Sequence, residues 1–250
     1  MKNLTDITFI LDRSGSMASM VNDVVGGYRS FVEQQKADKS GDIVMSLVQF
    51  DTIYENVFSG IPIENLSPAL NFVPRGGTAL RDAIGRTINE TGARLRALPA
   101  SERPNKVLIV ILTDGEENSS HEFSHDQIKR MIEHQQNKYA WEFLFLGANF
   151  DAFHVGASYG INLNTVTNYT YTGGGLRAAF DSVSCYASTT KSGGVHTSTL
   201  SQTQALNESK LSDDELAKKA GLNGDTFVTG SSCGPVPQTT TTGKMTVTVP

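Results

Sequence analysis

Cysteine is scarce in this chain. Only Cys185 and Cys233 occur among 250 residues, too few for a secreted disulfide scaffold, so a reduced, intracellular chain is expected, with a single bridge between them left open. Long apolar runs are missing too. The run Ile7–Leu11 is too short for a signal segment and meets Asp12 and Arg13 at once. No stretch is long enough to span a bilayer, and a cytoplasmic protein is the expectation. Charge of one sign is also lacking. A net charge of -5 gives no general attraction to nucleic acid or to an anionic membrane, so neither is expected as a partner.

What is present points to one α/β domain followed by an appendage. The nearly continuous apolar runs "ITFIL" (7–11), "VLIVIL" (107–112) and "FLFL" (143–146) have the character of parallel strands buried on both faces. "DIVMSLVQF" (42–50) reads as a further strand, with 52–58 as an antiparallel edge strand beside it. Helical spacing joins Val21, Val24, Val25, Tyr28, Phe31 and Val32, and again Leu80, Ile84, Thr87, Ile88, Thr91 and Leu95. Gly26 and Gly27 interrupt the first helix, which suggests a close approach to the sheet. A short helix within "FDAFHVGASYGI", a weak last strand in "INLNTVT" and a helix over 176–189 complete a doubly wound sheet with helices on both faces.

Residues 1–190 are therefore assigned to this domain. Residues 191–250 read as a polar linker, a short helix at about 212–221 and a Thr-rich tail. Ser212 and Glu215 form a capping-box pattern at the start of that helix, and Gly221 ends it. The tail is expected to be disordered in isolation; the alternative is a strand that adds to a sheet edge, in a neighbour or a second copy of the chain.

The chemistry lies where strands end. Asp12 directly follows the first buried strand, within D-x-S-x-S with Ser14 and Ser16. Asp114 follows another strand in "LTDG", and "PRGGTAL" places Thr78 in a glycine-rich loop that opens a helix. In open α/β sheets, ligands gather at the carboxyl ends of the strands. Two carboxylates with three hydroxyls suit a hard cation, Mg²⁺ or alternatively Mn²⁺ or Ca²⁺. Neutral Ser and Thr ligands leave much of the cation's charge uncompensated, and therefore attractive to an outside carboxylate.

"DRSGSM", Thr78 in "GGT" and Asp114 in "TDG" together resemble the metal-ion-dependent adhesion site of von Willebrand factor type A domains, of the standalone bacterial or phage type. The resemblance covers roughly residues 1–190. It implies a Rossmann-like, mostly parallel sheet with one antiparallel edge strand. It also implies that Ser14, Ser16 and Thr78 ligate Mg²⁺, that Asp12 and Asp114 assist directly or through water, and that an acidic side chain of a protein partner completes the shell. A non-enzymatic recognition module is the leading expectation. An Mg²⁺-dependent phosphoester hydrolase and a structural subunit assembling through its C-terminal tail are the alternatives.

Other signals compete. "HEFSH" (121–125) matches the H-E-x-x-H zinc-protease pattern. Phe123 stands outside the apolar stripe of Ile128, Met131 and Ile132, however, so the helix is expected to start near Ser124, leaving His121 in a loop beside Glu116 and Glu117. Gly76 and Gly77 precede a helix as a phosphate-binding loop would, yet neither G-x-G-x-x-G nor a P-loop lysine is present. His154, His196 and the single Trp141 read as surface or packing residues.

Overall fold

The structure, a computed structural model, describes residues 3–219, with side chains to residue 209. Six strands form one sheet in the order β3-β2-β1-β4-β5-β6. They are β1 (Leu4–Asp12), β2 (Asp42–Phe50), β3 (Tyr54–Pro62), β4 (Lys106–Thr113), β5 (Glu142–Gly147) and β6 (Val166–Asn168). All neighbouring pairs are parallel except β2 with β3. The expected Rossmann-like sheet and its antiparallel edge strand are both present. β1 lies at the centre, and every residue from Thr5 to Asp12 is buried.

Among the described residues, six α-helices cover the sheet: α1 (Val21–Ala37), α2 (Leu80–Ala97), α3 (His125–Tyr139), α4 (Ala152–Ser158), α5 (Gly173–Lys191) and α6 (Leu200–Lys219). Alternation along β1 divides the core in two. Ile7, Phe9 and Leu11 pack with α1 and α5, and Ile10 packs with α2, α3 and α4. Asp6, on that second face, is buried yet satisfied by a bidentate pair from Arg94 of α2, at 2.7 and 2.9 Å. Among the described residues, no helix is long and apolar enough to cross a membrane.

Three expectations are corrected. Gly27 does serve a close approach, but to α5 rather than to the sheet: a Cβ there would stand 2.2 Å from the Phe180 ring. Gly26 has nothing within 4 Å of a Cβ, so packing gives no reason for it. The helix placed at about 212–221 begins far earlier, at Leu200, and Ser212 lies within it. Its N-terminal box uses Thr199 and Gln202 instead, with paired bonds of 2.9 and 3.2 Å. Leu200 and Gln204 are buried, and Gln204 donates to the Gly175 carbonyl at 3.1 Å. The start of this helix is therefore fixed by docking on α5, which a polar stretch such as "SQTQALNES" does not advertise. Cys185 lies on α5; Cys233 and the Thr-rich tail lie outside the described residues.

The adjacent glycines of α1 should respond oppositely to alanine. Gly27→Ala forces the buried Phe180 ring aside and is expected to cost about 1–3 kcal/mol. Gly26→Ala should gain about 0.5–1 kcal/mol through better helix propensity. Urea denaturation of both variants checks the pair.

Candidate metal centre

The parallel sheet brings the ends of β1 and β4 side by side, and with them Asp12 and Asp114. Asp12 is fully buried. Its Oδ1 accepts from the Ser14 N–H at 2.7 Å and its Oδ2 from the Thr113 hydroxyl at 2.5 Å. Ser14 Oγ lies 3.0 Å from Ser16 Oγ, and the Ser16 hydroxyl donates to Asp114 Oδ1 at 2.7 Å. The other Asp114 oxygen, Oδ2, is buried without a hydrogen-bond partner.

Thr78 closes the ring from a third loop. It directly precedes α2's N-cap residue, Ala79, and the N–H groups of Arg81 and Asp82 in the first turn of α2 are capped by Glu117 and Ser120 instead. Thr78 Oγ1 lies 3.5 Å, and Ser16 Oγ 4.0 Å, from where a Gly115 Cβ would sit. Asp12, Ser14, Thr78 and Asp114 are buried, while Ser16 is exposed, so the cluster opens to solvent on the Ser16 side.

Burial pushes the Asp12 carboxyl up to about 6, against the opposing bonds from Thr113 and Ser14, and the neighbouring Asp114 charge adds to the rise. Burial likewise raises Asp114, with the bond from the Ser16 hydroxyl acting against it. Tyr171 donates its proton to the Ser16 carbonyl at 2.6 Å, which leaves Asp114 Oδ2 unpaired. The donors are all hard oxygens. With two carboxylates among them the cluster suits Mg²⁺, Mn²⁺ or Ca²⁺. Among the described residues, no group of three or more His, Cys, Asp or Glu side chains could hold a metal, so a carboxylate-rich or zinc-type site is not an alternative there.

Residues 6–177 match the family model of the von Willebrand factor type A domain. The chain belongs to that family. The type A fold is also that of the pilus adhesin SpaC from Lactobacillus rhamnosus GG, in its open conformation (TM-score 0.56, 16% identity, 74% of this chain and 30% of that one). It is shared by the vWF domain of the type V pili tip protein Mfa5 from Porphyromonas gingivalis (TM-score 0.53, 11% identity, 75% and 96%). Proximal thread matrix protein 1 from the mussel byssus, solved with a zinc-occupied MIDAS motif, matches at TM-score 0.51 and 17% identity, over 75% of this chain and 46% of that one. This chain thus spans less than half of the mussel protein and of SpaC. Such identities speak for the type A fold alone. No curated protein matches the sequence.

The loops of this type A domain are fastened by residues that the sequence reading did not single out. Arg13, within the D-x-S-x-S loop, is buried; its Nε donates to Asp51 at 2.9 Å and its Nη1 to Glu55 at 2.7 Å. Arg75 donates to the same Asp51 oxygen at 2.8 Å. Asp51 thereby joins the Asp12 loop to the Thr78 loop, and Gly15 N–H adds a 3.2 Å bond to the carbonyl of Gly76. Gly76 has φ +65, a conformation that favours glycine. One signal was available: Asp51 follows the buried run 42–50 as Asp12 and Asp114 follow theirs.

The loop after Asp114 caps α2 from outside. Ala79 at the N-cap offers no side-chain acceptor; Glu117 accepts from Arg81 N–H at 2.8 Å and Ser120 Oγ from Asp82 N–H at 3.1 Å. Asp82 in return accepts from the N–H groups of His121, Glu122 and Phe123, at 2.8–3.0 Å. Glu117 thus turns inward, whereas Glu116 and His121 are exposed.

The zinc-protease pattern fails as expected. Ser124 caps α3 in a box with Gln127, and His121 stays in the loop. Glu122 pairs with Arg86 through a 2.9 Å bond from its Nε, and His125 contacts Ser158 at 3.0 Å. Trp141 is a buried packing residue and His154 an exposed one. His196 stacks on Tyr186 at 3.7 Å.

Burial acts to raise the Asp51 pKa, but bonds from Arg75 and the Ile53 N–H, with the charge of Arg13, hold it below the ordinary value of 3.8. A depressed folded pKa stabilises fully above the unfolded value and loses that stabilisation as pH falls through the folded one. Asp51→Asn should therefore cost about 1–3 kcal/mol near neutral pH by removing the charge that Arg13 and Arg75 share, with Arg13 keeping its bond to Glu55. The gap to wild type should narrow on acidification below about pH 4. Denaturation at a series of pH values measures both effects.

Proposed function

We propose that this type A domain is a recognition module in which Asp12, Ser14, Ser16, Thr78 and Asp114 hold Mg²⁺, and that an Asp or Glu of a partner protein completes the ion's shell. The reading is carried by the meeting of these side chains from three loops around a buried Asp114 oxygen that has no partner. A cation would satisfy that oxygen and offset the burial of two carboxyls. The hydroxyl-rich donor set would leave the ion short of negative charge, and the exposed Ser16 side gives an outside carboxylate its approach. Mn²⁺ and Ca²⁺ suit the same donors. Phosphoester hydrolysis with Asp12 as nucleophile is disfavoured, because both its oxygens already accept hydrogen bonds and it is fully buried.

Calorimetric titration with Mg²⁺ should give saturable binding for wild type and for His121→Ala. It should give none for Asp12→Ala or Asp114→Ala, with circular dichroism unchanged. Partner capture from a lysate of the source cells should then require both Mg²⁺ and an intact Asp12. Equal capture by wild type and Asp12→Ala, with Mg²⁺ or with EDTA, would sink the recognition mechanism.

A further inference from the structure

At the amino-terminal ends of β4 and β5, between α2 and α3, lies a cavity of about 430 Å³, within the usual size range for small-molecule sites. It shares no residue with the candidate metal centre, which sits at the opposite ends of these strands. Leu95, Val107 and Trp141 give it a buried apolar floor, while Arg96 and Arg103 stand exposed at its edge. No acidic residue lines it. The arginines that form ion pairs among the described residues are Arg13, Arg75, Arg81, Arg86 and Arg94. Arg103 instead donates to the backbone carbonyls of Leu98 and Arg96, at 3.1 and 3.2 Å. Its guanidinium is thus oriented by neutral acceptors, with no carboxylate to neutralise it.

Gly92, in the interior of α2, supplies a second observation. Glycine weakens a helix interior; a crowded neighbour explains Gly27 (Phe180) and Gly85 (Phe123), whereas Gly26 and Gly92 have none. A Cβ on Gly92 would meet nothing within 4 Å, its φ is not positive, and it lines the cavity. Its missing side chain widens this space.

We propose that the cavity binds a small planar aromatic anion, with its ring on the Leu95, Val107 and Trp141 floor and its carboxylate, sulfonate or phosphate on Arg96 and Arg103. Guanidinium groups match such oxyanions in geometry as well as charge. A purely apolar ligand would leave both arginines unused, and inorganic phosphate would leave the floor wet.

Trp141 is the chain's single tryptophan, so energy transfer from it to bound anilinonaphthalene sulfonate reports on this cavity in the full-length protein. Transfer should saturate at one dye per chain. The double variant Arg96→Ala/Arg103→Ala should weaken it by about tenfold or more. Gly92→Phe should abolish it by filling the space, with circular dichroism confirming the fold; the arginine pair decides alone if that variant does not fold. Neutral N-phenylnaphthylamine should bind more weakly than the sulfonate. Absent or unsaturable transfer, transfer unchanged in the arginine variant, or equal binding of the neutral dye would each overturn the proposal.

Discussion

Burial of β1 on both faces is the constraint from which the rest follows. A strand covered by helices above and below, with β2 and β4 on either side, can carry a charge within the sheet only if it is paired there, as Asp6 is with Arg94; the other place is its carboxyl end, where the sheet stops. Asp12 sits there at zero exposure, and the parallel pairing with β4 brings Asp114 beside it. Antiparallel pairing would have sent the two carboxyls to opposite edges.

Two buried carboxyls close together are costly to ionise, and the surroundings answer in two ways. Hydroxyls and N–H groups from Ser14, Ser16 and Thr113 satisfy three of the four carboxylate oxygens. The fourth, Asp114 Oδ2, is left without a bond. A cluster with the energetic problem solved except at one point is what a cation-binding site requires, since a fully satisfied network would have nothing to offer an ion.

Holding three loops in register takes a second layer of charge. Asp51 collects Arg13 and Arg75, and Asp82 and Glu117 exchange backbone caps between α2 and the loop after Asp114. Each loop therefore borrows its stability from another. Thr78 illustrates the consequence. A threonine two residues before a helix would ordinarily be taken for a cap, but external capping by Glu117 and Ser120 does that work here, and its hydroxyl lies beside Gly115.

The sequence alone determined what depends on local pattern and chain order. The apolar runs marked the strands, the tight turn after residue 50 placed 52–58 as the edge strand, and the aspartates after buried runs, with Ser14, Ser16 and Thr78, marked the cluster. The break in the stripe at Phe123 placed the α3 start. Only the tertiary structure decided what depends on a partner distant in the chain. Gly27 is small because of Phe180, which is 153 positions later. The last helix starts at Leu200 because α5 offers it a surface, and Arg13 is buried because Asp51 awaits it. Periodicity records which face of an element is covered but not by what, so contacts between remote, individually unremarkable residues left no local trace.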